Sequence, residues 1–292
     1  MGATRPYIVV GVSGQPESLP AARWAVREAD ARGLQLVIAH GAPTPYGNPP
    51  WNSEVVDAMA ADAETVVDQV MSHLVIPPHL LVRTVVEPIP PVALLSRLAE
   101  NADFVALGRE NLARFRRVTE GAITAPICAT APCPVVVLPA YVEATSRQPV
   151  IVAVDGTTAA ASALRVAFDE AAIWRLPLTV LHARPDDDTG RETAERQVNI
   201  EEILAGWKAD QPDVPVHSEV VPGDPADVIA AYSHHAALMV VGRPHRRHVG
   251  SWARSVAHAV LSHCECPLVV VPESDPASRT PAADRKRAAG GR

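Results

Sequence analysis

Four arginines and two histidines fall within the sixteen residues VVGRPHRRHVGSWARS, Val240 to Ser255, of a chain whose formal net charge is −7. Cations packed that densely can contact phosphate, track a nucleic-acid backbone, or hold a metal through imidazole nitrogens. Nucleic acid fits poorly. The rest of the chain is acidic, no nucleic-acid motif accompanies the loop, and aromatics at 4% are too scarce for a base-stacking platform. A metal fits no better. His245 and His248, with His234 and His235 upstream, match no zinc spacing, and Cys264-x-Cys266 is shorter than the usual C-x2–4-C. Arg243, Arg246, Arg247 and Arg254 keep two open readings, a solvated loop or a phosphate contact.

Nucleophilic chemistry has no better footing. Ser13 lies in GVSGQ, which lacks the second glycine of a nucleophile elbow, and no triad follows it. Cys128, Cys133, Cys264 and Cys266 read as reduced, structural thiols in a chain of this length. His40 and His182 occupy matching strand ends, which favours a shared packing or hydrogen-bonding role. No nucleophile–base pair and no committed carboxylate pair emerge, so no catalytic residue and no enzymatic activity are expected.

Those matching positions belong to a larger pattern, because the chain is written twice. YIVVGVSGQPES near the start matches VIVAVDGTTAAA from Val150, and RGLQLVIAHGAP (32–43) matches WRLPLTVLHARP (174–185). Val12 and Val154, like His40 and His182, stand 142 positions apart. ADFVALGRE (102–110) then matches AALMVVGRP (236–244), and APCPVVVLPA matches ECPLVVVPES at an offset near 134, so the second copy has a shorter middle. In the first copy, strands are expected at 7–12, 36–40, 80–86, 104–107 and 134–138, with helices at 17–32, 52–74, 92–101 and 120–130. The second copy repeats this with strands at 150–154, 178–182, 215–221, 238–241 and 267–271. Near-continuous apolar strands such as IVVGV and LMVV are those of a parallel sheet covered on both faces. The fold class is therefore α/β: two tandem doubly wound parallel five-stranded sheets flanked by helices.

Ligands of such sheets sit beyond the carboxyl ends of the strands, where strand order reverses. After the first strand come Val12-Ser13 in one copy and Val154-Asp155-Gly156-Thr157 in the other; after the fourth come Gly108 and Gly242. A glycine-led loop running into a helix start suits phosphate. Together the duplication, the V-D-G-[ST] turn and the G…[GS]-[ST]…CPV-V-V ending resemble a tandem member of the universal stress protein family over about residues 6–272. The resemblance implies a flavodoxin-like (Rossmann-type) sandwich, ATP binding, and regulatory work in the stress response, commonly as a dimer. Nucleotide-binding members carry G-x2-G-x9-G-[ST] after strand four and an Asp after strand one.

Carried over position by position, the resemblance places Gly108, Asn111, Gly121 and Ala122 in the first copy's phosphate loop, with Ser13 where the family prefers Asp. In the second copy it places Asp155, Gly156 and Thr157 after the first strand and Gly223 after the third. Gly242, His245, Arg254, Ser255 and Val256 then form a phosphate loop one residue short. Both loops are partly degenerate. The expected cofactor is ATP, with magnesium entering only with bound nucleotide and no metal site of the protein's own. A nucleotide-free interaction scaffold of the same fold is the alternative function.

The expected domains are 6–141 and 149–273, with a linker at 142–148 and a disordered tail at 274–292 that lacks any apolar period. PVVVL and PLVVV at the two strand-five positions carry no gatekeeper charge, so the copies are expected to pair through these edges. A homodimer and a regulatory protein partner are further associations, whereas nucleic acid and membrane are not expected. No stretch approaches the ~18 apolar residues of a membrane span, and the amino terminus lacks a signal-peptide pattern, so a cytoplasmic location is expected.

Overall fold

The computed structural model describes residues 6–42, 53–109, 123–140, 148–155, 160–184, 190–243 and 255–273. The first repeat runs β1 (Tyr7–Gly11), α1 (Ser18–Arg32), β2 (Gln35–Gly41), α2 (Ser53–Ser72), β3 (Val82–Glu87), α3 (Pro91–Ala99), β4 (Ala102–Gly108), α4 (Thr124–Thr130) and β5 (Val135–Leu138). The second runs β6 (Val150–Ala153), α5 (Ala161–Trp174), β7 (Leu178–Arg184), α6 (Gly190–Asp210), β8 (Val216–Pro222), α7 (Pro225–Ser233), β9 (Leu238–Arg243), α8 (Val256–Leu261) and β10 (Leu268–Pro272). All ten strands join one sheet in the order β3-β2-β1-β4-β5-β10-β9-β6-β7-β8. Within each half the strands are parallel and ordered 3-2-1-4-5, the Rossmann-type doubly wound pattern. The halves meet antiparallel where β5 pairs with β10, Val136 opposite Val269.

Helices cover both faces, which explains the unbroken apolar strands. Ile8, Val10, Val152 and Val269 pack toward α1, α2, α5 and α6, whereas Val9, Val137, Ile151 and Val270 pack toward α3, α4, α7 and α8. Each helical layer thus continues from one repeat into the other.

On the first face α1 and α5 come together across the join. Glu28 and Glu170, equivalent positions 142 residues apart, are both 0% exposed. Arg32 forms an ion pair with Glu28 one turn away and donates to Glu170 Oε1 at 2.6 Å. Its guanidinium also lies 4.9 Å over the Phe104 ring. Trp174, the counterpart of Arg32, donates its indole N–H to Glu28 Oε2 at 3.1 Å. Burial opposes charge on Arg32, but Glu170 and Glu28 outweigh it and hold the guanidinium firmly protonated. Among the described residues, the Glu28 and Glu170 carboxyls share the one Arg32 guanidinium in this buried centre, which favours a proton on one carboxyl. Burial, reinforced by the neighbouring Glu28 charge, pushes Glu170 up to about 8.

Candidate nucleotide site

In each half the reversal of strand order falls between the first and fourth strands, β1/β4 and β6/β9. The same device finishes the first strand in both repeats. Val12 N–H donates to Ala39 O at 2.9 Å and Val154 N–H to Leu181 O at 2.9 Å. His40 Nδ1 lies 2.8 Å from Val12 O, and His182 Nδ1 lies 2.8 Å from Val154 O. A carbonyl only accepts, so Nδ1 carries the proton in each ring. These histidines fix the strand end on which the next residue, Ser13 or Asp155, is presented. His182 is 2% exposed, and among the described residues its Nε2 has no hydrogen-bond partner.

Beyond that point the repeats diverge. In the first, Ser13 turns back on its own loop: its N–H donates to Ser18 Oγ at 2.8 Å, and Ser18 Oγ donates to Ser13 O at 3.1 Å. The closed turn lays Glu17 on Gly108. A Cβ at Gly108 would lie 2.0 Å from the Glu17 carbonyl oxygen and 2.6 Å from its carbon, so only glycine fits. Thr124 Oγ1 reaches Gly108 O at 3.5 Å from the start of α4. In the second repeat Asp155 and Gly242 are both exposed, on the ends of adjacent strands registered Ala153 to Val241. Among the described residues, a Cβ at Gly242 would come no nearer than 4.0 Å, to Ala163 Cβ. Ala160 stands where Ser18 does, so this repeat lacks the hydroxyl that ties the first turn to Ser13.

Gly223 follows β8 with φ +136, a conformation that favours glycine, and its N–H donates to Arg184 O at 2.8 Å. Asp224 then caps α7, accepting from Ala226 N–H at 2.8 Å. Ser255 is the N-cap of α8 and accepts from His258 N–H at 3.2 Å; Val256 opens that helix. An apolar recess of about 210 Å³, counting space open to solvent, lies beneath Val154 and is lined by Ala160, Leu164, Val180, Ile200 and Leu204 among others. Gly156, Thr157, His245, Arg254, Asn111, Gly121 and Ala122 lie outside the described residues, as do nearly all of the linker and the whole tail.

The arginine after each strand-four glycine has a role that neither sequence reading anticipated. Arg243 donates to Cys128 O and Ala131 O of the first repeat, both at 3.0 Å. Arg109 donates reciprocally to Cys264 O of the second. Each arginine thus fastens the end of its own repeat's fourth strand to carbonyls in the final turn of the other repeat's last helix or just beyond it. Among the described residues no three His, Cys, Asp or Glu side chains converge as metal ligands, and no helix is long and apolar enough to cross a membrane.

The universal stress protein family model matches residues 6–139 and again 146–272. The chain belongs to the universal stress protein family. It is 30% identical over 287 residues to a universal stress protein of Mycolicibacterium smegmatis, covering 92% of this chain and 98% of that one. A Mycobacterium tuberculosis universal stress protein is 29% identical over 292 residues, covering 91% and 97%. Among solved structures, a universal stress protein from Archaeoglobus fulgidus superposes with a TM-score of 0.71 at 17% identity, covering 92% of this chain and 97% of that one, which bears on the fold alone. The tandem α/β organisation expected from the repeats is thus met by the family and by the architecture.

Proposed function

We propose that this universal stress protein binds an adenine nucleotide in its second repeat and works by occupancy, as a regulatory binding protein and not as an enzyme. The observation that carries this reading is the difference between the two strand-one turns. Asp155 and Gly242 stand exposed on adjacent strand ends, whereas Ser13 and Gly108 are folded under Ser18 and Glu17. The Asp155 carboxylate can accept from two ribose hydroxyls at once, which a serine cannot. Gly242 opens the loop for the phosphates, to which His245, Arg254 and Ser255 belong, and magnesium arrives with the nucleotide. The recess beneath Val154 is apolar, with enclosed room for no more than a water-sized group, so it does not itself hold a base. Buried, unbridged cysteines agree with a reducing, cytoplasmic setting.

Equilibrium binding of labelled ATP to the wild type and to Asp155→Ala tests the proposal. Saturable binding that weakens at least ~10-fold in the variant is expected, the loss of one to two charge-assisted hydrogen bonds. No binding by the wild type at millimolar nucleotide would leave the scaffold reading. That second reading is favoured by the sealed first repeat and by the reciprocal Arg109 and Arg243 contacts, which need no ligand.

A further inference from the structure

Between α8 and β10 the chain reads Cys264-Glu265-Cys266, and the two Sγ atoms lie 3.6 Å apart. Neither cysteine belongs to a helix or strand, but the backbone between them is held: Cys264 N–H donates to Val260 O and Glu265 N–H to Ser233 Oγ, both at 2.9 Å, and Cys264 O accepts from Arg109. Cys264 is 1% exposed and Cys266 6%, yet Ser262, His263 and Glu265 beside them are exposed, so the thiols lie one residue beneath the surface. The first repeat has Ala131 and Cys133 at the matching positions, so the paired thiols belong to the second repeat alone.

We propose that Cys264 and Cys266 are a redox site, oxidised by a hydroperoxide to an intramolecular disulfide. Cys264 is the attacking sulfur. The hydrogen bond from Cys266 holds its thiol below the ordinary range against the opposing effect of burial, with Ser233 and Arg109 assisting. The same hydrogen bond, followed by burial, pushes the Cys266 thiol up. In the first step the Cys264 thiolate takes the distal oxygen of the hydroperoxide. The O–O bond breaks, the distal oxygen keeps its hydrogen as a sulfenic acid, and the leaving oxygen takes up the proton released when the thiolate formed, giving one molecule of alcohol or water. In the second step Cys266 attacks the sulfenic sulfur; the S–O bond breaks, Cys266 loses its proton, and water leaves. The two sulfurs are oxidised and the hydroperoxide is reduced, with no other reactant. The sulfurs must close from 3.6 Å to the ~2.05 Å of a disulfide, a movement assigned to rotation of the two side chains. Cys128 is excluded from this chemistry, because burial pushes its thiol up to about 12.

The test treats the native full chain with hydrogen peroxide, unfolds it, alkylates the remaining thiols and maps the peptides by mass. Loss of two of the four alkylatable thiols is expected, with both losses in the 264–266 peptide and full recovery on adding dithiothreitol. Cys266→Ser should leave Cys264 as a sulfenic acid that dimedone traps, and Cys264→Ser should leave Cys266 unreacted. Retention of all four thiols under conditions that oxidise free cysteine would overturn the proposal, and so would a disulfide mapped to Cys128 or Cys133. The wild-type peptide map decides the matter even if a serine variant misfolds. Because no nucleotide is present, the result is independent of the ATP-binding reading.

Discussion

The most consequential single group is Glu170. Its folded-state pKa of about 8 lies above the ordinary 4.5, with burial as the main cause and the Glu28 charge next. The folded chain therefore binds a proton more tightly than the unfolded chain does between those values. The stability this proton confers is fully present below pH 4.5 and is lost as pH rises toward 8. Asp169, also raised by burial, works in the same direction, while Arg32 and, for Asp169, Gln211 and Arg165 oppose both. Glu170→Gln keeps the shape and removes the titration. Thermal melts across that range should show the wild type losing stability toward the alkaline end and the variant losing distinctly less. An identical slope in the two proteins would assign the proton elsewhere. Nothing in the sequence marks Glu170 as unusual, since a lone glutamate on a helix reads as solvated until its counterpart is brought against it.

At the scale of elements, the two repeats end their first helices differently. Gly33 closes α1 in the left-handed region with φ 65, and its N–H donates to Ala29 O and Asp30 O. Arg175 does the same for α5 with φ 53, where a side chain is disfavoured. Arg175→Gly should raise stability by about 1 kcal/mol, read as a higher denaturant midpoint with unchanged slope. Apolar runs such as VVVL and LMVV made the strands legible, because a parallel core strand has nowhere polar to face. The repeat offset also located the turns after β1 and β6. Closure of one turn was not legible: Glu17 on Gly108 is a backbone contact between segments about ninety residues apart, and it leaves no periodic trace. For the same reason Arg243 stayed open between a solvated loop and a phosphate contact, and its cross-repeat role went unread. Its two acceptors are carbonyls 115 and 112 residues upstream, and a carbonyl has no residue type to read.

For the whole molecule, the ten-stranded sheet makes each repeat the other's missing edge. Cutting the chain at a protease site placed within 142–148 should leave both halves eluting together as a one-to-one complex, with β5 on β10 and both arginine contacts intact. Native mass spectrometry of the cut protein checks this, and halves that part or re-sort into like pairs would refute it. Re-sorting is opposed by the centre between α1 and α5. Two second repeats would bring Glu170 against Glu170 with tryptophans where a guanidinium is needed, leaving buried carboxylates without a cation. Two first repeats would bring a guanidinium for each carboxylate. The Arg32/Trp174 difference therefore works as a lock with one key: the second copy closes against the first and not against its own kind.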